Sequence, residues 1–364
     1  FMVPSEILAP QHYQKAKEIL EPYNMNVALL TGKLKASEKK QIQKDIAEGK
    51  INLVIGTHAL ISEKVIYHNL GLVITDEQHR FGVQQRRELK NKGLTPDILY
   101  MSATPIPRTY ALTIYGDMEV SNIKTRPMGR KEIETLLFSE KQLKEVLTRM
   151  YAELQKGHQI YVVAPLIEEN EESDTKAVDT MYENMKKAFG KYYTIDMLHG
   201  KQDGNTKEKI MSEFQENKIQ ILISTTVIEV GVDVANATMI VIFNAERFGL
   251  SQLHQLRGRV GRNELQSYCL LVSNYDKERL QILTHVSDGF QISEEDFRLR
   301  GSGDFFGVRQ SGDMSFQLAD IYKDFSIVKH AKEDAESFRK NKAYFDSDEE
   351  KRFTEFEKSI VHLD

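Results

Sequence analysis

Apolar residues in this chain fall into short β-branched runs, separated by longer stretches in which they recur every three or four positions. The runs 51–55, 71–75 and 98–101, and later 159–164, 194–198, 219–224, 239–243 and 268–272, have the length of buried strands. Between them the spacing is helical, as at Ile42 and Ile46 or Ile210 and Phe214. This alternation predicts βαβ units and doubly wound parallel sheets, an α/β fold.

Part of the pattern occurs twice. Gly32-Lys33, a helical run, and Lys50-Ile51-Asn52-Leu53-Val54-Ile55-Gly56-Thr57 return as Gly200-Lys201, a helical run, and Lys218-Ile219-Gln220-Ile221-Leu222-Ile223-Ser224-Thr225. The offset is 168 residues throughout, and at that offset 72–74 falls on 240–242. A period this long predicts a duplicated domain rather than a solenoid. The first copy is short on its N-terminal side, and 121–131, with Pro127 and Gly129, reads as the linker. The expected domains are thus 1–122, 123–273 and 274–364.

Beyond 272 the pattern turns to charged helices and one glycine-rich loop. Ile321, Phe325, Val328, Ala335 and Phe338 predict a helix with a single apolar face, packed on the second domain. The acidic run 168–174 reads as a solvated loop. Pro10 predicts a helix that starts near Ala9 with the proline at its first position.

Composition narrows the class. Forty per cent hydrophobic and 28% charged residues exclude wholesale disorder. With 49 Lys+Arg against 54 Asp+Glu, the net charge of −5 announces no nucleic-acid partner, so a polyanion site must be a local patch. The single cysteine, Cys269, excludes an intramolecular disulfide and suits a reducing compartment. No apolar run approaches the ~20 residues that cross a bilayer. The expectation is a cytoplasmic protein with no membrane partner.

The candidate chemistry lies where the copies differ. Asp76 and Glu77 follow a strand at the end where open α/β sheets bind ligands. One carboxylate there can hold Mg²⁺ and a second can polarise an attacking water. At the 168-residue offset the second copy has Asn244 and Ala245, which do neither. The alternative is that the two acids only cap the next helix. In the second copy, helical spacing puts Gln255, Arg259 and Arg262 on one stripe, with Leu253, Leu256 and Val260 on another. Guanidiniums suit the charge on a transferring phosphoryl group, and a surface salt-bridge helix is the alternative. Acids on one copy and arginines on its sibling imply a nucleotide in a cleft that closes and opens.

The motifs Asp76-Glu77-Gln78-His79, Ser102-Ala103-Thr104 and Gln255 through Arg262 resemble motifs II, III and VI of superfamily-two helicases, which have two RecA-like motor domains. The longer stretches Asp76-Glu77-Gln78-His79-Arg80-Phe81-Gly82 and Met101-Ser102-Ala103-Thr104-Pro105-Ile106-Pro107-Arg108-Thr109, with the run from Thr225 to Arg262, are similar to the RecG family of branched-DNA helicases. The similarity runs essentially the whole chain. It implies two RecA-like doubly wound parallel-sheet domains followed by a helical hairpin region. It also implies that Asp76 and Glu77 are the Walker B pair for ATP and Mg²⁺, with Gln78 and His79 completing the motif. Arg259 and Arg262 would be arginine fingers beside Gln255, and Ser102, Ala103, Thr104, Gly231 and Asp233 would couple hydrolysis to movement. The stretch Arg298 through Gly312 resembles a translocation motif that ends on Arg309 and Gln310.

The activity implied is ATP-driven translocation on double-stranded DNA, remodelling forks and Holliday junctions in recombination and repair. The implied setting is a bacterial, nucleoid-associated monomer, with single-stranded-DNA-binding protein as a partner. The transcription-repair coupling translocase, which shares the last motif, and a nucleotide-independent DNA-binding module built from a degraded helicase are the alternatives. The former carries Asp-Glu-Glu-Gln where this chain has Asp-Glu-Gln-His. Two departures from the family matter. No Gly-x-x-x-x-Gly-Lys-Ser/Thr loop occurs, and the wedge domain that grips the branch point is absent. The chain therefore reads as the C-terminal part of a longer protein, expected on its own to bind ATP weakly and not to hydrolyse it. Ala235 also stands where the family commonly has proline.

A motor that steps along any sequence must hold phosphates rather than base edges. Thr31, Gly32, Lys33, Thr57 and His58 in the first copy, with Gly200, Lys201, Thr225 and Thr226 in the second, stand at matching strand ends and are the candidate contacts. Ordinary turn residues are the alternative.

Overall fold

The computed structural model describes residues 1–103, 121–123, 125, 129–164, 171–200, 202–225, 234–275, 277–304, 325–339 and 352. The first lobe runs α1 (Leu8–Leu20), β1 (Val27–Leu30), α2 (Ala36–Ala47), β2 (Leu53–Gly56), β3 (Leu72–Thr75), α3 (Val83–Lys90) and β4 (Asp97–Tyr100). The second runs β5 (Glu134–Phe138), α4 (Leu143–Gln155), β6 (Gln159–Val163), α5 (Glu171–Phe189), β7 (Ile195–Leu198), α6 (Gly204–Gln215), β8 (Ile221–Ser224), β9 (Ala237–Phe243), α7 (Leu250–Arg257), β10 (Tyr268–Val272) and α8 (Lys277–His285). Helices α9 (Gly289–Asp304) and α10 (Phe325–Arg339) follow. The chain divides into two compact units, Phe1–Thr104 with Pro127–Ser287, and Pro105–Arg126 with Asp288–Asp364.

The six strands of the second lobe lie in the order β5-β10-β9-β6-β8-β7, all parallel. Every residue of β6, β8 and β9 is buried, which is why they read as unbroken apolar runs rather than as an alternation. The first lobe has two parallel pairs, β1-β2 and β3-β4, and Met2 bridges Gly56 of one to Thr75 of the other. Its resulting order, β1-β2-Met2-β3-β4, repeats β7-β8-β6-β9-β10 of the sibling. The fold is α/β with parallel sheets.

The duplication holds in detail. β1, α2 and β2 sit 168 residues before β7, α6 and β8 at both ends of each element. Even polar ties repeat: the Asn26 N–H donates to Asn52 Oδ1 at 2.8 Å, and the Thr194 N–H to Gln220 Oε1 at 2.9 Å. At β3 and β9 the offset is 167, since Met2 pairs with Gly56 and Thr75 as Val163 pairs with Ser224 and Ile242. Glu77 and Asn244 both adopt φ 48°, and Gly82 and Gly249 both precede a helix. The counterpart of Glu77 is therefore Asn244, not Ala245, and that of Asp76 is Phe243, which carries no carboxylate.

Other expectations change too. Two strands lie outside the predicted apolar runs: β1 is four residues in a polar setting and β5 is an edge strand, so neither stands out. Helix α1 begins at Leu8, which makes Pro10 its third residue, where an N–H would have no intrahelical partner in any case. The acidic run enters α5 at Glu171, because buried Val178, Met185 and Phe189 recur at helical spacing and outweigh the charge of the first turn. Helix α10 belongs to the second unit. Of its expected apolar face, Ala335 and Phe338 are exposed, and Ile321 lies outside the described residues.

Cys269 is buried on β10, and burial pushes its thiol up to about 12. Thiol reagents at pH 8 are expected to leave Cys269 unmodified until denaturant unfolds the lobe, and labelling of the native protein at the rate of a free thiol would contradict this placement.

Candidate functional site

Strand β3 delivers two carboxylates at its C-terminal end. The Asp76 N–H donates to Met2 O at 3.0 Å, which fixes it to the strand-like start of the chain. Its Oδ1 accepts the Glu77 N–H at 2.9 Å, and its Oδ2 lies 3.7 Å from His12 Nε2 on α1. Glu77 sits in the left-handed region (φ 48°, ψ 56°), an unfavourable backbone for a residue with a Cβ and one that recurs at functional sites. That turn aims its side chain at the exit of β4, where Glu77 Oε2 accepts the Ala103 N–H at 3.3 Å. The Gln78 N–H donates to Met101 O at 3.1 Å, and Gln78 is buried. Asp76, Glu77 and Gln78 are thus brought together with Ser102 and Ala103. Thr104 and the side chain of His79 lie outside the described residues.

The arginines are arranged differently from the expected stripe. Helix α7 stops at Arg257, Gly258 caps it, and Gly261 takes φ 74°. Gln255, Arg259 and Arg262 therefore do not share one helix face, and the glycines end a helix rather than interrupt one. Gly261 is doubly required, since a Cβ there would stand 2.8 Å from Ile133 Cγ1. Arg262 Nε donates to Gly258 O at 3.2 Å. Leu253, Leu256 and Val260 are buried as expected. Arg259 is buried as well. Desolvation and the neighbouring Arg262 hold its guanidinium below the ordinary value, while the Glu77 carboxylate of the sibling lobe acts in the opposite direction. Acid and guanidinium from the two copies therefore share one electrostatic neighbourhood.

The proposed phosphate contacts are more occupied than strand ends alone predict. Glu6, which no sequence pattern singled out, accepts the Gly32 N–H at 2.7 Å and the Thr57 hydroxyl at 3.1 Å on the same oxygen. Its other oxygen is buried, with no hydrogen-bond partner among the described residues. Thr31, Thr57 and Thr225 are buried. His58 packs edge-on against Phe81 with centroids 5.8 Å apart. Lys33 makes an ion pair with Glu208 of the sibling lobe. Lys39 and Lys207, again 168 apart, donate to the carbonyls of Gly32 and Gly200. Lys201, Thr226, Gly231, Asp233, Arg309 and Gln310 lie outside the described residues. A lone acid such as Glu6, between a proline-containing turn and a helix, has no periodicity to mark it.

Among the described residues no three His, Cys, Asp or Glu side chains cluster to cage a metal. Asp76 and Glu77 offer instead the one or two carboxylates that Mg²⁺ takes when phosphates and water complete its shell, so the donor set fits that ion.

Two sibling lobes with carboxylates on one and arginines on the other define the motor core of a superfamily-two helicase. Residues 1–112 match the model of the DEAD/DEAH box helicase family and residues 141–264 that of the helicase conserved C-terminal domain. Residues 286–361 match ATP-dependent DNA helicase RecG, domain 3, C-terminal, which separates the chain from the coupling translocase. The chain is 52% identical over 335 residues to the ATP-dependent DNA helicase RecG of Streptococcus pneumoniae serotype 4, covering 91% of this chain and 50% of that protein. With its Bacillus subtilis strain 168 counterpart it shares 47% over 348 residues, 94% of this chain and 51% of the other. A solved structure of RecG bound to a three-way DNA junction superposes with TM-score 0.72 at 45% identity, over 90% of this chain and 43% of that one. The chain belongs to the RecG family and spans about half the length of the relatives it matches.

Proposed function

We propose that this chain is the motor portion of an ATP-dependent helicase that translocates on double-stranded DNA and remodels forks and Holliday junctions in recombination and repair. Asp76 would hold Mg²⁺, Glu77 would orient the attacking water, and Arg259 and Arg262 would stabilise the charge that builds on the transferring phosphoryl group. Bound Mg²⁺ supplies the Lewis acidity. The observation that carries this reading is the placement of Asp76 and Glu77 at the C-terminal end of β3 on one lobe and of Arg259 and Arg262 just past α7 on its sibling, since a module freed from hydrolysis has no need to keep both sets. The link from Glu77 to Ala103 is a route from the hydrolytic carboxylate to the coupling motif. Hydrolysis belongs to a longer protein that also supplies a phosphate-cradling loop, and this chain alone releases no phosphate above buffer. The protein acts as a monomer in the bacterial cytoplasm, at the nucleoid, with single-stranded-DNA-binding protein as a partner.

Lys33 and Glu208 give this reading an accessible test. Both side chains are 40% exposed, so their ion pair is worth only the ~0.2–1 kcal/mol of a surface pair. A DNA phosphate must replace Glu208 to use Lys33. Glu208→Gln is expected to tighten binding to a three-way junction by up to about fivefold at low salt, converting that ~1 kcal/mol limit. Fluorescence anisotropy across a salt series and on scrambled sequences reads the effect. Affinity must fall steeply with salt and ignore sequence. Unchanged or weaker binding by the variant, or dependence on sequence, contradicts the assignment of Lys33 to a phosphate.

A further inference from the structure

Within the 255–262 block, one arginine has no part in the scheme above. Arg257 is the last residue of α7 and only 5% exposed. Its guanidinium donates to three backbone acceptors in the last turn of α8 and just beyond it: Leu283 O at 2.9 Å, Val286 O at 3.0 Å and Ser287 O at 3.2 Å. Nη1 also reaches Thr135 Oγ1 on β5 at 3.4 Å, and Nη2 lies 2.9 Å from Nδ1 of His254, one turn back. The carbonyls at a helix C-terminus lack intrahelical donors and carry partial negative charge, so a fixed cation suits them. Only a planar fork of several N–H groups meets that many acceptors at once, and a lysine ammonium does not.

The position of these acceptors gives the contact its meaning. Ser287 is the last residue of the first unit, and the C-terminal segment of the second begins at Asp288. The match to the C-terminal part of RecG domain 3 begins at residue 286. Arg259 and Arg262 follow Arg257 by two and five residues. One buried side chain therefore fastens the segment that carries the phosphate-facing arginines to the carbonyls of the last residues before the C-terminal unit.

We infer that Arg257 is a positioning residue that transmits the placement of the Arg259–Arg262 segment to the start of the C-terminal unit, tying nucleotide state to translocation. It touches no nucleotide. The nucleotide half of this inference rests on the proposed function; the fastening half does not.

Arg257→Lys in a full-length protein that carries this chain tests both halves. Hydrogen exchange at the amides of 286–288 is expected to quicken by about tenfold or more while β9 stays protected, because a local tie has been cut without global unfolding. Junctions unwound per ATP hydrolysed are expected to fall about fivefold or more, with DNA-stimulated hydrolysis itself held within about threefold. Unchanged exchange at 286–288 overturns the fastening. Unwinding and hydrolysis that fall in equal proportion overturn the coupling, since that is the behaviour of a damaged phosphate site. A parent protein without DNA-stimulated hydrolysis overturns the proposed function and the coupling with it, and the exchange result still decides the fastening. If Arg257→Lys does not fold, Thr135→Val removes a single acceptor and is expected to quicken the same amides about twofold or more, with unchanged exchange there counting against the proposal.

Discussion

Glutamine in place of Glu77 is expected to lower DNA-stimulated ATP hydrolysis by about 10²- to 10⁴-fold in a full-length protein that carries this chain, the range for loss of a positioned base. Glutamine keeps the size of the side chain and an oxygen able to accept the Ala103 N–H, so the link from Glu77 to the exit of β4 survives. It loses the charge that orients and activates water. ATP affinity and junction affinity should change little, because Mg²⁺ contact rests on Asp76 and DNA contact on other residues. Steady-state phosphate release and nucleotide binding, measured on the same preparations, separate these effects. Hydrolysis that stays at the parental rate would remove Glu77 from the chemistry and leave it as a helix-capping acid.

The second large effect belongs to the arginines. Arg262→Ala is expected to reduce hydrolysis by about 10³- to 10⁵-fold, the worth of a guanidinium that stabilises the transferring phosphoryl group. Arg262 is the cleaner test because Arg259 is buried, and truncating a buried arginine also removes packing. Arg259→Lys is the informative change there. It keeps the charge and loses the planar fork, so a comparable loss with intact thermal stability would assign the effect to phosphate geometry rather than to the fold. Both losses should fall on kcat more than on KM, since the charge that these groups meet develops in the transition state. Equal rates for parent and Arg262→Ala would mean that the block serves only as structure.

Much of this was legible from residue order. The duplication was visible because parallel strands buried on both faces leave unbroken apolar runs, and because both lobes keep one spacing from strand to helix to strand. Asp76 and Glu77 stood out because acids rarely follow such a run. Three things were not legible. The one-residue change of offset before β3 shows only in the backbone, where Met2 and Val163 hold equivalent places in the sheet and Glu77 and Asn244 take the same left-handed turn. The end of α7 at Arg257 was masked because the residues after it keep helical spacing, and only the conformation of Gly261 reveals the break. Glu6 and Arg257 carry no sequence signal, for a common reason. Each works through side-chain bonds to backbone or hydroxyl groups distant in sequence, which neither periodicity nor local spacing encodes.

The account stands or falls on acid and guanidinium groups from sibling lobes serving one triphosphate. The direct measure is single-turnover phosphate release from the parent, Glu77→Gln, Arg262→Ala and the double variant, all with saturating junction DNA. Groups that act as a unit on one transition state are not additive, so the double variant should be no slower than the slower single by more than about threefold. Losses that multiply in the double variant would mean that the two groups act independently, and the shared site would be contradicted.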